Sequence, residues 1–371
     1  MSVSALAFST RASDARGDTA SLVREGKLGF IVSSIRYALA DDPVASGACP
    51  AGMSANFLET YARQPGAQRR AEESERDFER RSFTEAMTGP GGENLCINPG
   101  LAPDPYFREL TSRTLVSAGI DLDGRASRAS GVASGSQCAH DDFPGEQGRR
   151  GVDNQYLRVV GCIRGYQPGG LAHDFESEML TGAWSIVIAL SDVEDLRRDD
   201  DVTVGIHAGA DPIQLSASGQ ALPFATYAID ADPRFQAVTR GRIRDGVLTT
   251  EPVDVRFHFS AAGQRFERSL RHARLEFTIH EDGAGDGYLS GYAPIEDVYR
   301  NQVGFNGNTF VAGAAANALG YTCNGIYAAL QRMADGDRDP QTGRCSSIST
   351  QYRIRAAPAF VLEANNALEQ P

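Results

Sequence analysis

The chain has 371 residues, with 36 basic against 48 acidic side chains and a formal net charge of −12. That balance argues against nucleic acid or an anionic membrane surface as the main partner. With 41% hydrophobic and 23% charged residues, a wholly disordered or collagen-like chain is excluded as well. Length allows two domains, or one large β-domain with elaborations.

The first residues, Val3–Phe8, form a short apolar run followed by small residues near Ala12 and Ala15. Residues 1–15 read either as the back half of a secretory signal or as an N-terminal tail. Residues 16–115 read as helix and loop. Gly29–Tyr37 fits a strand or a short helix. Ala55–Met87 is helical in pattern and highly charged, with Glu72/Arg76 and Asp77/Arg81 at i,i+4 spacing and Phe78 and Phe83 marking a buried side. Such a charge run reads as a solvated helical face. Gly and Pro between Gly89 and Pro105 then break regular structure.

Residues 116–310 read as a β-core. Ala183–Leu190 has the length and apolarity of a buried strand, and Trp184 within it is assigned to the core. Val202, Val204, Ile206 and Ala208 share one strand face, opposite Thr203 and His207. The alternation recurs at Val253, Val255, Phe257 and Phe259, and again at Ala273, Leu275, Phe277 and Ile279. Further strands are expected at Thr226–Asp230, Phe235–Arg244 and Tyr288–Tyr292, with Asp245-Gly246 as a hairpin turn. Residues 311–371 read as a helical region packed on that core. Helices are expected at Val311–Gly320 and around Ile326–Met333, the second capped by Asn324 and ended by Asp335-Gly336. Ile348–Leu362 reads as a returning strand that Pro358 pushes to an edge or ends. The fold class is therefore mainly β with helical terminal elaborations, around an antiparallel β-sandwich or jelly-roll-like core.

The six cysteines, Cys49, Cys96, Cys138, Cys162, Cys323 and Cys345, contain no CxxC pair. Fifteen pairings are open, and bridging in sequence order is the simplest. Disulfides imply an oxidising location, periplasmic or secreted. No apolar run approaches the ~18 residues of a membrane span.

No Walker-type GxxxxGK, GxSxG elbow or HExxH helix is present, so no motif names an activity. Three constellations carry potential chemistry. Asp121, Asp123, Asp141, Asp142, Glu146, Asp153 and Asn154 lie in Gly-containing loops and offer the oxygen donors a calcium ion needs, with His140 among them as a candidate transition-metal ligand or base. Asp-rich turns without metal have the same composition. Asp335, Asp337 and Asp339 match the first, third and fifth places of an EF-hand-like loop, but Pro340 and Ser346 break the motif. Finally, if the two strongest strands pair, Asp254, Arg256 and His258 lie near His272, Arg274, Glu276 and His280. That face is either solvated, with cross-strand ion pairs, or the lining of a groove with Asp254 and Glu276 as acid and base. The expectations are an exported protein binding a glycan or another cell-envelope component and stabilised by calcium, an exported polysaccharide lyase or hydrolase using Asp254, His258, Arg274, Glu276 and His280, or a structural subunit of an envelope complex.

Overall fold

The computed structural model describes residues 22–363 apart from 40–42, 44–45, 127–137, 139, 262 and 302–308. The signal-like segment 1–15 lies outside the described residues. Among the described residues there are eleven strands: β1 (Leu28–Tyr37), β2 (Ile186–Ser191), β3 (Arg198–Ala208), β4 (Ala225–Ala228), β5 (Gln236–Arg244), β6 (Val247–Thr250), β7 (Val253–Ala261), β8 (Gln264–Ile279), β9 (Gly285–Pro294), β10 (Gly336–Arg338) and β11 (Cys345–Leu362). The helices are α1 (Phe57–Tyr61), α2 (Glu75–Ala86), α3 (Gln155–Val160), α4 (Asp174–Leu180), α5 (Ile295–Tyr299), α6 (Thr309–Leu319) and α7 (Cys323–Met333).

The chain is mainly β, as its alternating patterns require. Strand order follows the sequence, β1-β2-β3-β5-β6-β8-β9-β11, and β11 pairs back with β1. Every pairing around that path is antiparallel, so eight strands close into an up-and-down barrel. Where the sequence suggested a sandwich or jelly roll, neighbours in sequence pair directly and the sheet closes on itself. The alternation is common to all three architectures, and only closure distinguishes them.

Closure buries one face of each strand. Phe30, Ile188, Val204, Ile243, Leu248, Phe277, Leu289 and Ile354 are each at most 1% exposed. Phe30 and Phe277 meet inside at a centroid distance of 5.0 Å. An eight-stranded barrel is just wide enough to be filled by such side chains, each contributing about 1.5–3 kcal/mol through burial. β5 and β6 join through Asp245 (φ 52°) and Gly246 (φ 81°), the expected hairpin with both turn residues left-handed.

β7 lies outside the ring, paired with the first half of β8. Its apolar face, Phe257 and Phe259, packs on Trp184 at 5.8 and 5.7 Å, and the Trp184 indole N–H donates to Phe175 O. Trp184 is a core residue, as expected.

Several local readings are corrected. The charged stretch from Ala55 to Met87 forms two helices, and Arg81 pairs with Glu73 and Glu85 while Asp77 pairs with Arg80. Thr322, not Asn324, caps α7 by accepting from Gly325 N, and Asn324 donates to Ala102 O. α7 ends at Met333, and Gly336 opens β10. β11 is not an edge strand, since it pairs with β1, β9, β4 and β10. Pro358 is tolerated because β9 has ended opposite Ala356 and β4 begins only at Ala359, leaving a gap in the ladder on that side.

The disulfides are Cys49–Cys162, Cys96–Cys323 and Cys138–Cys345, not sequential pairs. Closing the barrel with β11 brings α7 and the start of β11 onto N-terminal and middle segments, so each bond spans 113 residues or more. No described helix is long and apolar enough to cross a membrane.

Candidate functional site

A groove of about 680 Å³ runs over the outer face of β5, β6 and β8. The residues facing outward from these strands alternate with the barrel core and are therefore polar. Arg240 and Arg242 come from β5, Thr249 from β6, and Arg274 and Glu276 from β8, while Asp121 and Arg149 close the groove from loops.

Gln351 of β11, 1% exposed, holds the Asp121 loop in place. Its amide donates to Ile120 O and Asp153 O at 2.9 and 2.6 Å, and its carbonyl accepts from Ile120 N and the Ser290 hydroxyl. The Arg149 loop is closed by paired bonds between Phe143 and Val152, and Arg149 forks onto Glu276 at 2.6 and 3.1 Å. Arg240 pairs with Asp201 at 2.8 Å. Arg274 Nε is buried with no hydrogen-bond partner among the described residues.

The candidate catalytic residues do not gather in one place. β7 pairs with residues 264–273 of β8, with His258 opposite Glu267 and Val253 opposite Ala273, and a bulge at His272 (φ 49°) shifts the register by one residue before Ala273. Asp254 accepts from His272 N at 2.9 Å. His258 pairs with Asp230 at 2.9 Å and packs on Phe235, and His280 pairs with Asp286. Arg274 and Glu276 line the groove, whereas His258 lines a different cavity of about 450 Å³. The expected face is thus divided by the hairpin register, which sets His258 opposite Glu267 and which alternation alone does not reveal.

The acidic loops partly converge. One oxygen each of Asp121, Asp123 and Asp153 lie within 4.8 Å of one another, and Asp121 also lines the groove. Backbone N–H groups hold them: Gly124 N donates to Asp121 at 2.6 Å, Arg125 N to Asp123 at 2.8 Å and Leu122 N to Asp153 at 2.6 Å. Burial, reinforced by Asp142, Asp335 and Asp123, pushes the Asp153 carboxyl up to about 8. Burial raises Asp335 to about 7, with Asp142 adding repulsion, and also raises Asp123. Asp142 is thus an electrostatic neighbour of Asp153 and Asp335.

The remaining candidates have other partners. Asp141 pairs with Arg113 and Glu146 with Arg353. Asn154 donates to Ala38 O and the Ser117 hydroxyl. Asp335 accepts from Ser349 N, Asp337 pairs with Arg271, and Asp339 accepts from Gln341 N and Thr342 N, so the EF-hand-like spacing sends its three carboxylates to three destinations. One His140 ring nitrogen lies 3.2 Å from Ala334 O, and burial lowers the pKa of that ring.

Sequence reading missed Gln351 and Arg149. Arg149 left no signal beyond a Gly-rich loop, and Gln351 is a polar residue at an ordinary strand position.

The fold and site define a disulfide-braced, closed eight-stranded meander barrel with a charged external groove. No family model, curated protein or solved structure matches the chain.

Proposed function

We propose that this is an exported protein, periplasmic or secreted, that binds a cell-envelope glycan in the groove between the Asp121 and Arg149 loops and the outer faces of β5, β6 and β8. The observation that carries the reading is the groove itself. Its volume lies within the range of ligand sites. Guanidinium forks on Arg149, Arg240, Arg242 and Arg274 stand beside the carboxylates of Asp121, Glu251 and Glu276 and the hydroxyl of Thr249. Donors and acceptors interleaved on one surface suit a ligand that is itself both donor and acceptor at every carbon. The three disulfides are compatible with export. A catalytic use of this face is less supported, because Asp254, His258 and His280 have partners away from Glu276.

Calcium belongs to this reading as a stabiliser beside the groove. Asp121, Asp123 and Asp153 supply the hard oxygen donors it prefers, and their mutual repulsion is relieved either by protons or by a cation. Melting in calcium and in chelator tests this: an equal melting temperature removes the ion from the account.

The decisive experiment is a glycan array followed by calorimetry on the captured oligosaccharides, with Arg149→Gln and Glu276→Gln as variants. Saturable binding that weakens at least tenfold in both folded variants is expected. Absence of binding to neutral and acidic glycans alike, or binding indifferent to both substitutions, refutes the proposal.

A further inference from the structure

The charges that line the groove are not all open to a ligand. Arg149 commits its fork to Glu276 at 2.6 and 3.1 Å, Arg240 pairs with Asp201 at 2.8 Å and donates to the Thr203 hydroxyl, and Asp200 pairs with Arg244. Asp121 accepts from the backbone N–H groups of Gly124 and Arg125 in its own loop. Arg242, Glu251 and Arg274 are left over, with no ion pair or side-chain hydrogen bond among the described residues.

Arg274 is the most constrained of the three. It is half-buried, and its Nε is sealed from solvent without an acceptor. The rest of the guanidinium, in the groove, therefore carries all the hydrogen bonding this cation can gain. An arginine side chain has donors and no acceptor, and a partly buried cation without a partner is unfavourable. What Arg274 lacks is an oxygen, and an ionised one serves best, since charge-assisted bonds are about twice as strong as neutral ones and a carboxylate matches the planar fork.

The second free arginine is placed to continue the same contact. Arg242 lies opposite Thr249, and Thr249 opposite Glu276, two residues along β8 from Arg274. With strands about 4.8 Å apart and a rise of about 3.4 Å per residue, the two arginines are roughly 12 Å apart at the backbone, on either side of Thr249. That separation suits an extended ligand with acid groups on more than one sugar.

We propose that the groove selects an acidic glycan, a uronic-acid oligosaccharide whose carboxylates dock on Arg274 and Arg242. This rests on the glycan reading of the groove and adds the charge of the sugar to it. Glu251, unpaired in the same groove, repels those carboxylates and limits their affinity.

The test is calorimetric titration of the full chain with galacturonate and mannuronate hexamers at constant ionic strength, each against its carboxyl-reduced counterpart, in which every carboxylate has become a hydroxymethyl group. At least one acidic hexamer binds at least tenfold tighter than its reduced form. Arg274→Gln removes most of that preference, Arg242→Gln weakens it several-fold, and Glu251→Gln strengthens it several-fold. The wild-type comparison depends on no variant, and Arg242 is exposed and unpaired, so its replacement leaves the fold intact. Equal affinity for acidic and reduced hexamers, or capture of neutral glycans alone on the array, overturns the acidic preference and leaves the glycan reading standing. Acidic binding indifferent to both arginine substitutions also overturns it, and no glycan binding of any kind overturns both.

Discussion

Replacing Cys96 and Cys323 together by alanine tests the crosslinked architecture most directly. The bonds Cys49–Cys162, Cys96–Cys323 and Cys138–Cys345 interlock. With the other two bonds in place, the smallest ring that Cys96–Cys323 closes runs through Cys138–Cys345 and is made of the stretches between Cys96 and Cys138 and between Cys323 and Cys345, about 64 residues in all. Opening the bond releases that ring, so its chain-entropy contribution is about 4–5 kcal/mol, less than the 227-residue separation of Cys96 and Cys323 would give alone. Both cysteines are buried, at 5% and 0% exposure, and alanine removes only a sulfur from each site. For a domain of this size the loss lowers the melting temperature by about 6 °C. Guanidinium unfolding under non-reducing conditions measures the loss directly, and a peptide map of the variant establishes that the other two bonds remain. A loss below about 1 kcal/mol with an unchanged denaturant slope would refute the ring argument, as would a wild-type map containing Cys49–Cys96.

His207 is 7% exposed, and burial pushes its imidazole down to about 4. The unfolded chain takes up a proton near pH 6.5 that the folded chain refuses until about pH 4, so acidification across that window removes up to about 3 kcal/mol of stability. His207→Gln flattens this part of the profile in urea unfolding at pH 7, 5 and 4, and an unchanged slope sinks the assignment. Gly287→Ala in β9 places a Cβ 1.9 Å from Glu276 O across the β8–β9 ladder. Because backbone must move, a loss of about 3 kcal/mol or more is expected, and a variant melting within 2 °C of wild type contradicts the geometry. Gly246→Val puts a β-branched residue at φ 81° in the β5–β6 turn and lowers stability by about 1–2 kcal/mol in the same denaturation assay; no measurable loss would count against that turn.

The strands were legible because burial of one face writes a period of two into local sequence, as at Val202–Ala208 and Val253–Phe259. What joins them was not. The β1–β2 and β1–β11 pairings and the cysteine partners are relations between segments more than 100 residues apart, and no local pattern encodes them. The register of the β7–β8 hairpin has the same effect on a smaller scale. It leaves Val255 to Phe259 alternating correctly while setting His258 opposite Glu267, far along β8 from Glu276. Arg268, buried against the Tyr37 and Tyr352 hydroxyls, did leave a signal: Phe266, Arg268 and Leu270 alternate on the buried face of β8, so a charged residue stands where the period demands an apolar one. Reading the alternation from Ala273 onward passes it by.

Gln351 joins the fold to the candidate site. It projects from the barrel wall and engages Ile120 and Asp153 on two different loops, the loops that carry Asp121 and Arg149 to the groove. Cys138–Cys345 fastens the second of these loops to the start of the same strand. One wall of the groove is therefore the hydrogen-bonded ladder of β5, β6 and β8, and the other is irregular chain tethered to β11 by a buried amide and a covalent bond. A site built this way is preorganised only while its tether is intact, which makes oxidation of Cys138–Cys345 a condition for the geometry of Arg149 and Glu276 as well as a source of stability.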